Sequence, residues 1–419
     1  MITKIYNSAR FVKTFLSKDN LNKLRNITLN ESTDERKVVD LNLAGLVNSH
    51  EDVEAISRTK LKPAALIDGY NFLTGKTLFT CSPEEHFEYI KSFPLEIVGQ
   101  KEWIKTQEDV VKTETLEFIE NWIRIKKIDP LKEFDIERLI FGLVFSILSR
   151  TFLGIPYDPK MQNDFEYMAI HLNRYLIYQF FPFNPKFYKT RKRWNKTIDS
   201  IIEERKNNFE DKNDILSTLL KKGSIDDLSR RSLSQAYWAG TFTHSAVILG
   251  AIFHLGREPE NVKYLLNDEG NALNVAKEAL RMYPGAPIYD RGVRKGEEIK
   301  TPSGHTFKHK DRPLVCPHII GTDPKYWAEP LKFNPSRFEN HEGFQSKAFV
   351  PFGHAPEDGG RACTGRYYAL EVIPWVLHTI FKNYDINIKS DKIIFAEYAA
   401  CAKSSYPVFA TIKNKDIKC

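Results

Sequence analysis

The sequence predicts a mainly α-helical protein with a small β-sheet region, built as a single large domain over residues 1–419. Apolar residues recur at spacings of three and four through a helix-rich core at about 80–285, which is the period of amphipathic helices. From about 286 to 419, proline and glycine become frequent and short strand-like runs appear. Because no internal repeat and no low-complexity linker separates the two parts, we predict one continuous core.

The individual elements follow from this periodicity and from stop signals. Gly154 with Pro156 ends one predicted helix, Gly223 ends another, and Gly256 ends the longest one. The predicted helices span 109–125, 135–152, 163–181, 186–207, 214–221, 228–255 and 364–381. The predicted strands span 298–300, 306–308, 313–316, 392–395 and 408–412.

The composition bounds the class of protein. Of the 419 residues, 42% are hydrophobic, so the chain can bury a large core and is not disordered as a whole. Lys plus Arg number 61 and Asp plus Glu number 54, which gives a net charge of +7. That excess is mild for a chain of this length and is unlike the dense basic surface of a nucleic-acid-binding protein.

Cysteine use and hydropathy predict a cytoplasmic protein without a transmembrane segment. The five cysteines lie far apart with no CxxC pair, which argues against a disulfide scaffold and is typical of a reducing compartment. The longest apolar stretches, 139–148 and 246–253, are shorter than the ~18–20 residues of a membrane span. Residues 1–30 are basic and amphipathic. We interpret them as a first helix, with a transit peptide or a membrane-surface helix as the alternatives.

Cys363 is the first candidate for chemistry. It lies in the glycine-rich run PFGHAPEDGGRACTGR, directly before a predicted helix. A thiolate at a helix N-terminus is stabilised by the free N–H groups there, and Arg361 and Arg366 add positive charge. Gly365 would let the backbone pass close to a flat group. Taken alone, such a cysteine is equally compatible with a small buried core residue.

Two further patterns are ambiguous when each is taken alone. Glu278 and Arg281 form an i,i+3 pair, which is commonly a solvated pair on a helix. With Arg337 of the stretch GTDPKYWAEPLKFNPSRF they could form a buried ion triad with a structural task. Ala239 and Gly240 place two small residues in the middle of the longest helix, which indicates either close helix packing or a surface for a flat ligand.

The order and spacing of these patterns resemble the haem-thiolate cytochrome P-450 family. Glu-x-x-Arg at 278–281 precedes the stretch that contains Arg337, and a Phe–Gly loop with Arg-x-Cys-x-Gly at 361–365 follows. The segment Ala-Gly-Thr-Phe-Thr at 239–243 lies before Glu278, where the family has its oxygen-activating helix. The resemblance covers most of the chain and implies the family's fold and its cofactor, haem b.

By this resemblance, Cys363 is the axial thiolate ligand of the haem iron. Glu278, Arg281 and Arg337 match the triad that stabilises the fold behind the haem. Three basic residues match the partners of the haem propionates, since charged hydrogen bonds to carboxylates are strong. The cofactor-binding positions implied in this way are His86, Ala239, Arg291, Phe352, Arg361, Cys363 and Gly365, and the propionate partners among them are His86, Arg291 and Arg361.

The resemblance also implies a catalytic segment and a substrate pocket. Gly240 would let the helix bend beside the oxygen site, and Thr243 would hydrogen-bond the bound dioxygen. Phe242, Pro287 and Ile288 would line the substrate pocket. The lid over that pocket would span about 160–195, where aromatic residues are frequent.

The sequence departs from the family pattern at three places. Phe242 stands where the family usually has an acid that helps to relay protons. The loop between Phe352 and Cys363 is longer than usual, with PEDG at 356–359 as the inferred insertion. Ile90 stands where an arginine is usual, although Lys91 is adjacent. Phe242 indicates either a relay through water and Thr243 or a reaction other than ordinary hydroxylation.

The resemblance thus implies a soluble, bacterial-type haem-thiolate oxidoreductase that monooxygenates a small organic molecule in specialised metabolism. The alternatives are oxidative phenol or aryl radical coupling, peroxide-dependent oxidation and, from another class, a non-catalytic haem sensor or scaffold. Because no nucleotide or flavin fingerprint appears, electrons would come from a separate ferredoxin or flavodoxin with its reductase, unless peroxide replaces them. His305 and His309 have metal-like spacing, but we expect no metal site in their strand-turn region.

Overall fold

The computed structural model describes most of the chain. The described residues are 38–40, 45–47, 49–57, 64–86, 89, 94–178, 184–223, 225–309, 311–339, 347–354, 362–398 and 401–415. The prediction of a mainly α-helical fold with a small β region is confirmed.

The helices carry most of the described chain, and each predicted helix is present with slightly shifted ends. They are α1 His50–Ser57, α2 Ala64–Thr74, α3 Pro94–Ile97, α4 Lys101–Lys105, α5 Glu108–Lys126, α6 Ile136–Leu148, α7 Pro159–Tyr178, α8 Pro185–Asn207, α9 Ile215–Lys221, α10 Asp227–Leu255, α11 Pro259–Asn267, α12 Glu269–Met282, α13 Pro317–Gly321 and α14 Arg366–Asn383.

The strands form small sheets instead of the one small sheet that the sequence predicted. They are β1 Val38–Asp40, β2 Gly45–Val47, β3 Phe134–Asp135, β4 Tyr289–Asp290, β5 Glu298–Lys300, β6 Thr306–Lys308, β7 Pro313–Val315, β8 Tyr384–Ile388, β9 Phe395–Tyr398, β10 Cys401–Ser404 and β11 Phe409–Asn414. Their orders are β1-β2-β7-β4, β3-β11-β8, β5-β6 and β10-β9, with β2 and β7 parallel and the other pairs antiparallel. The strand predicted at 392–395 begins only at Phe395, because β9 runs where it can pair with β10.

Helix α10 lies at the centre of the larger apolar core. It packs on α6, α12 and α14 and is buried along most of its length. Its N-terminus is capped by Asp226, which accepts a hydrogen bond from Ser229 N–H at 2.7 Å. A helix surrounded by others must be apolar on several faces, which explains why its sequence lacks a clear polar stripe.

Helix α6 is shorter than predicted because its last turn widens. The α-helix ends at Leu148 and continues as a π-helical turn over Ser149–Leu153, which closes at Gly154 with a φ of 62°. A Cβ at Gly154 would lie 2.0 Å from an oxygen of Asp214. Asp214 is itself buried and paired with Arg205 at 3.0 Å. Glycine is therefore required at 154 both for its backbone conformation and for this close approach.

We tested the described helices for membrane spans. No single one is long and apolar enough to cross a bilayer, and only the bent pair α10 and α11 meets the length and composition thresholds together.

Candidate functional site

A cavity of about 330 Å³ lies between α10 and the loop that precedes α14. Its walls are mostly apolar, with contributions from residues such as Val247, Phe352 and Ile373. Several of the residues that the resemblance implied for cofactor binding and oxygen activation line this one space. They are His86, Ala239, Gly240, Thr243, Arg291, Phe352, Cys363 and Gly365.

Cys363 opens into the cavity from the loop before α14. Its backbone N–H donates to Phe352 O at 2.8 Å, which ties the two ends of the loop together. The side chain is accessible within the cavity although protein surrounds it, and this enclosure raises the pKa of the thiol. The Gly365 N–H and the Arg366 charge lower that pKa in opposition. Cys81 and Cys316 are packed in the interior, whereas Cys363 faces an open space.

Gly365 begins the turn into α14. A Cβ built there would lie 3.8 Å from Cys363 Sγ, which is ordinary contact, and it would touch nothing closer. The protein itself therefore tolerates a side chain at this position, and any need for glycine must come from a group inside the cavity.

Ala239, Gly240 and Thr243 form the wall that α10 contributes. Thr243 Oγ1 donates to Ala239 O at 2.6 Å, so its oxygen remains able to accept a hydrogen bond. A Cβ at Gly240 would lie 2.9 Å from a methyl group of Leu148 on α6. Close helix packing therefore accounts for Gly240, even though the residue also lines the cavity.

Gly285 was not predicted from the sequence, yet its backbone lies directly against Thr243. A Cβ at Gly285 would lie 2.5 Å from Thr243 Cβ and 2.8 Å from its Cα. The Gly285 carbonyl also accepts a hydrogen bond from Ala402 N–H at 2.8 Å. The signal was the Pro-Gly pair at 284–285, but a sequence alone does not show what lies against such a turn.

The substrate-pocket prediction needs correction, because Phe242, Pro287 and Ile288 do not line the cavity. Phe242 packs into the core, with ring centroids 5.0 Å from Phe141 and 5.5 Å from Phe165. Phe242 lies about 100° from Thr243 around α10, on the side away from His244 and the cavity, so its ring faces the core. Pro287 and Ile288 are buried, and Ala286 and Tyr289 beside them face the cavity instead.

Glu278, Arg281 and Arg337 come together as a buried ion triad outside the cavity. Arg281 grips the carboxylate with Nε at 2.8 Å and Nη2 at 2.7 Å, and Arg337 Nε lies 3.1 Å from Oε1. Asn334 N–H donates to the same oxygen at 2.8 Å. The triad thus ties α12 to the segment around residue 334, which agrees with its expected structural role.

Arg291 and His86 line the same cavity as Cys363. Arg291 is only 4% exposed, and its Nη1 donates to Asp290 O at 3.1 Å. Its Nε has no hydrogen-bond partner among the described residues, and burial lowers the pKa of the guanidinium. His86 is buried as well. Arg361, the inferred insertion 356–359, and Ile90 with Lys91 all lie outside the described residues.

Trp103 is a further buried donor that sequence reasoning missed. Its ring lies 6.3 Å from that of Tyr368, which lines the cavity, and its Nε1–H has no partner. A tryptophan in an amphipathic stretch is usually a core residue, so no sequence signal distinguished it.

The remaining sequence signals lie elsewhere. His309 Nδ1 is 3.1 Å from Val293 O, and His305 packs on the ring of Phe307. No group of three or more metal-binding side chains occurs among the described residues. On α8, Arg193 pairs with Asp164 and Arg191 lies over the ring of Phe72.

Comparison with known proteins decides the family. The cytochrome P450 family model matches residues 47–269 and 272–402, which is most of the chain. This chain belongs to the cytochrome P450 family. The family's cofactor is haem b, held by a cysteine thiolate, and family members are oxidoreductases.

Individual relatives are plant enzymes of moderate similarity. Tabersonine 16-hydroxylase 2 of Catharanthus roseus is 32% identical over 220 residues, which is 46% of this chain and 42% of the relative. Tabersonine 6,7-epoxidase isoform 1 of the same plant is 24% identical over 303 residues, or 61% and 58%. Corytuberine synthase of Coptis japonica is 27% identical over 223 residues, or 48% and 44%. The chain spans about half the length of the curated relatives it matches.

The cavity of this P450 fits haem b on its own chemistry. Enclosure raises the pKa of the Cys363 thiol more than the Arg366 charge lowers it, and a bound metal would deprotonate the thiol outright. Arg291 supplies a buried donor with an unpaired Nε, which suits a carboxylate of the cofactor. The apolar walls suit a flat hydrophobic ring. Cys363, Arg291 and Phe352 are therefore the described residues best placed to hold it.

Proposed function

We propose that this protein is a P450 monooxygenase that inserts one oxygen atom of dioxygen into a small organic molecule of specialised metabolism. The observation that carries the proposal is that Cys363 and Thr243 face one mostly apolar cavity from different walls. The names of the relatives, which include hydroxylases and an epoxidase, support it. The apolar lining supports an aromatic or extended apolar substrate.

The residues that line the cavity have different roles, which depend on where each of them lies. When bound, haem b supplies the oxygen-activating redox chemistry, and the thiolate ligand favours cleavage of the O–O bond. Cys363 would hold the cofactor, and the buried Arg291 would anchor one of its carboxylates. Thr243, with its hydroxyl proton directed to Ala239 O, presents an oxygen that can hold a water or a proton beside the reacting group. Val247 and Phe352 contribute apolar surface to the cavity wall.

The test is isotope incorporation by the haem-loaded protein with an electron-donor system. We expect aromatic ligands to yield a product heavier by one ¹⁸O atom when the gas is ¹⁸O₂. Thr243→Ala should lower product formed per electron consumed, and Thr243→Ser should restore it. Products with no label from ¹⁸O₂ across an active ligand panel would contradict monooxygenation.

Oxidative coupling or peroxide-dependent oxidation is the second candidate, favoured by the placement of Phe242. No carboxylate stands beside Thr243 on this turn of α10, because Phe242 occupies the usual position and packs on Phe141 and Phe165. A dimeric or intramolecularly coupled product without ¹⁸O, or faster turnover with peroxide than with dioxygen, would favour this reading. Phe242→Asp is a poor test, since the new carboxylate would be buried among aromatic rings.

We further propose a cytoplasmic, bacterial-type setting in which a ferredoxin or flavodoxin delivers electrons. Basic groups near the Cys363 loop support docking of an acidic carrier: Arg366 lies over the Tyr367 ring at 4.6 Å and Lys101 over the same ring at 5.4 Å. The plant origin of the relatives does not favour a bacterial setting. The rate of reduction by the carrier should fall as salt rises, and a salt-independent rate would contradict this docking surface. A haem sensor would bind the cofactor but form no product.

A further inference from the structure

His244 directly follows Thr243 on α10, and its side chain lines the cavity. The residue is 9% exposed. Its Nδ1 lies 2.8 Å from Gly240 O. A carbonyl oxygen can only accept a hydrogen bond, so Nδ1 carries the proton of the neutral ring and Nε2 carries a lone pair. Burial lowers the pKa of His244 to about 4, which keeps the ring neutral at neutral pH.

The Nε2 atom of His244 is buried and has no hydrogen-bond partner. Its ring packs edge-on against Tyr368, with centroids 5.8 Å apart. The Tyr368 hydroxyl is engaged elsewhere, since it lies 2.8 Å from Thr151 Oγ1. No described residue of this wall therefore donates a hydrogen bond to Nε2, and a buried acceptor without a hydrogen bond destabilises a protein.

Thr243 is the other residue of this turn whose side chain can accept a hydrogen bond inside the cavity. The Thr243 hydroxyl proton is directed to Ala239 O, and the Phe242 ring packs in the core. Arg291 also lines the cavity, and its buried Nε has no partner among the described residues. This atom is a donor and cannot accept a hydrogen bond. On the turn from Ala239 to His244, His244 Nε2 is thus the buried acceptor to which the described residues supply no donor, whereas Thr243 Oγ1 already takes part in one hydrogen bond.

We propose that His244 Nε2 accepts a hydrogen bond from the O–H or N–H group of the organic molecule bound in the cavity, and so selects substrates that carry such a donor. The inference rests on the proposed function and adds the functional group that the substrate presents near Thr243. A water molecule is the other source of an O–H donor, and the ligand comparison below distinguishes the two sources.

The experiment measures binding of matched ligand pairs to the haem-loaded protein by calorimetry. Each pair consists of an aromatic alcohol or amine that binds and its O-methyl or N-methyl counterpart, which lacks the donor. We expect the wild type to favour the donor by roughly two- to thirteenfold, the range that one neutral hydrogen bond supplies. In His244→Asn, which keeps a donor near Gly240 O but removes the outer acceptor, the ratio should fall to near one.

Two further variants keep the test decisive. His244→Gln places an amide oxygen near the Nε2 position and should restore part of the preference. His254 is the matched control, because it lies on the same helix and its Nε2 is already satisfied by Tyr283 OH at 2.8 Å. His254→Asn should lower thermal stability and leave the ligand ratio unchanged.

A preference that survives in His244→Asn would overturn the proposal. A wild-type ratio near one would assign the acceptor to water and would overturn it as well. Failure of the proposed function shows in a different measurement, the absence of ¹⁸O-labelled product, and leaves the binding ratio intact.

Discussion

Two buried arginines, one in the ion triad and one at the cavity, differ in how completely their hydrogen-bond donors are paired. Arg281 is 1% exposed, and its hydrogen-bond donors are paired. Two of its nitrogens donate to the Glu278 carboxylate, and Nη1 also donates to Gly321 O at 2.5 Å and to Pro330 O at 2.8 Å. Arg291, 4% exposed, donates to one backbone oxygen and leaves Nε unpaired. Burying an incompletely paired charge is costly, so such a group persists where a ligand completes it.

The same contrast separates two histidines of α10. The His254 ring stacks on the ring of Phe333, with centroids 4.5 Å apart, and its Nε2 is hydrogen-bonded to the Tyr283 hydroxyl. His244 keeps an open acceptor on the cavity wall. The saturated groups belong to the region that holds the fold, and the open ones belong to the region that holds a cofactor and substrate.

The largest effect is expected when the saturated region loses its anion. Glu278→Ala leaves two guanidinium groups, on Arg281 and Arg337, without their carboxylate in the interior. We expect the free energy of unfolding to fall by about 3–5 kcal/mol, which chemical denaturation of the haem-free protein measures. A loss below about 1 kcal/mol would show that the triad is replaceable and would break the contrast.

Removing a buried charge at the cavity should not lower the stability of the haem-free protein, in contrast to removing the Glu278 carboxylate. Arg291→Met removes an incompletely paired buried charge, so the haem-free protein should be as stable as the wild type or more stable. Haem retention should weaken by roughly ten- to a hundredfold, the value of about 1.5–3 kcal/mol for a charged hydrogen bond. Transfer of haem to an excess of a scavenging apoprotein measures this, and Arg281→Met, which should destabilise the fold itself, is the control. Unchanged haem retention would remove Arg291 from the cofactor site.

Gly285 and Gly365 sharpen the contrast at the level of one methyl group. Gly285→Ala forces a Cβ to 2.5 Å from Thr243 Cβ, a clash that involves rigid atoms of α10. We expect it to cost about 1–3 kcal/mol in thermal or chemical unfolding. Gly365→Ala meets only Cys363 Sγ at 3.8 Å and should leave the haem-free stability within about 0.5 kcal/mol. Equal losses in the two variants would contradict the assigned roles.

The smallest effect is expected in how the stability of the protein depends on acidic pH. Burial lowers the pKa of His244 and of His254 from 6.5 to about 4. Between these values the unfolded chain binds protons that the folded chain does not, so stability is lost as the pH falls from about 6.5 towards 4. Each histidine contributes a slope of at most about 1.4 kcal/mol per pH unit. Stability measured over this range should fall less steeply in His254→Phe, and an unchanged slope would show that His254 is not buried neutral.

The fold was largely predictable because long helices repeat their pattern many times. Helices such as α5, α8 and α10 carry several turns of apolar periodicity and clear caps, and their ends shifted by only a residue or so. The short strands β1 to β4 have two or three residues each, and their existence depends on partners far away in sequence, such as the pairing of β2 with β7. Such pairings leave no local signal.

The site was predictable where chemistry is local and missed where it depends on direction. Cys363, Glu278 and Arg281 were found through the order and spacing of their motifs along the chain, although each motif was ambiguous by itself. Phe242 was placed in the pocket by the family resemblance, yet its ring packs in the core. Gly285 and His244 act through what lies against them in space, which no neighbour in the sequence reveals.

The most direct measurement is the absorption spectrum of the reduced, CO-bound protein, compared between the wild type and Cys363→Ala. The account predicts a strongly red-shifted Soret band in the wild type, which is lost in the variant while helical content and unfolding free energy stay unchanged. Cys316→Ala, at a buried thiol away from the cavity, should keep the band. A wild-type band without the shift, or a shifted band that survives in Cys363→Ala, would contradict the assignment of Cys363 as the thiolate ligand.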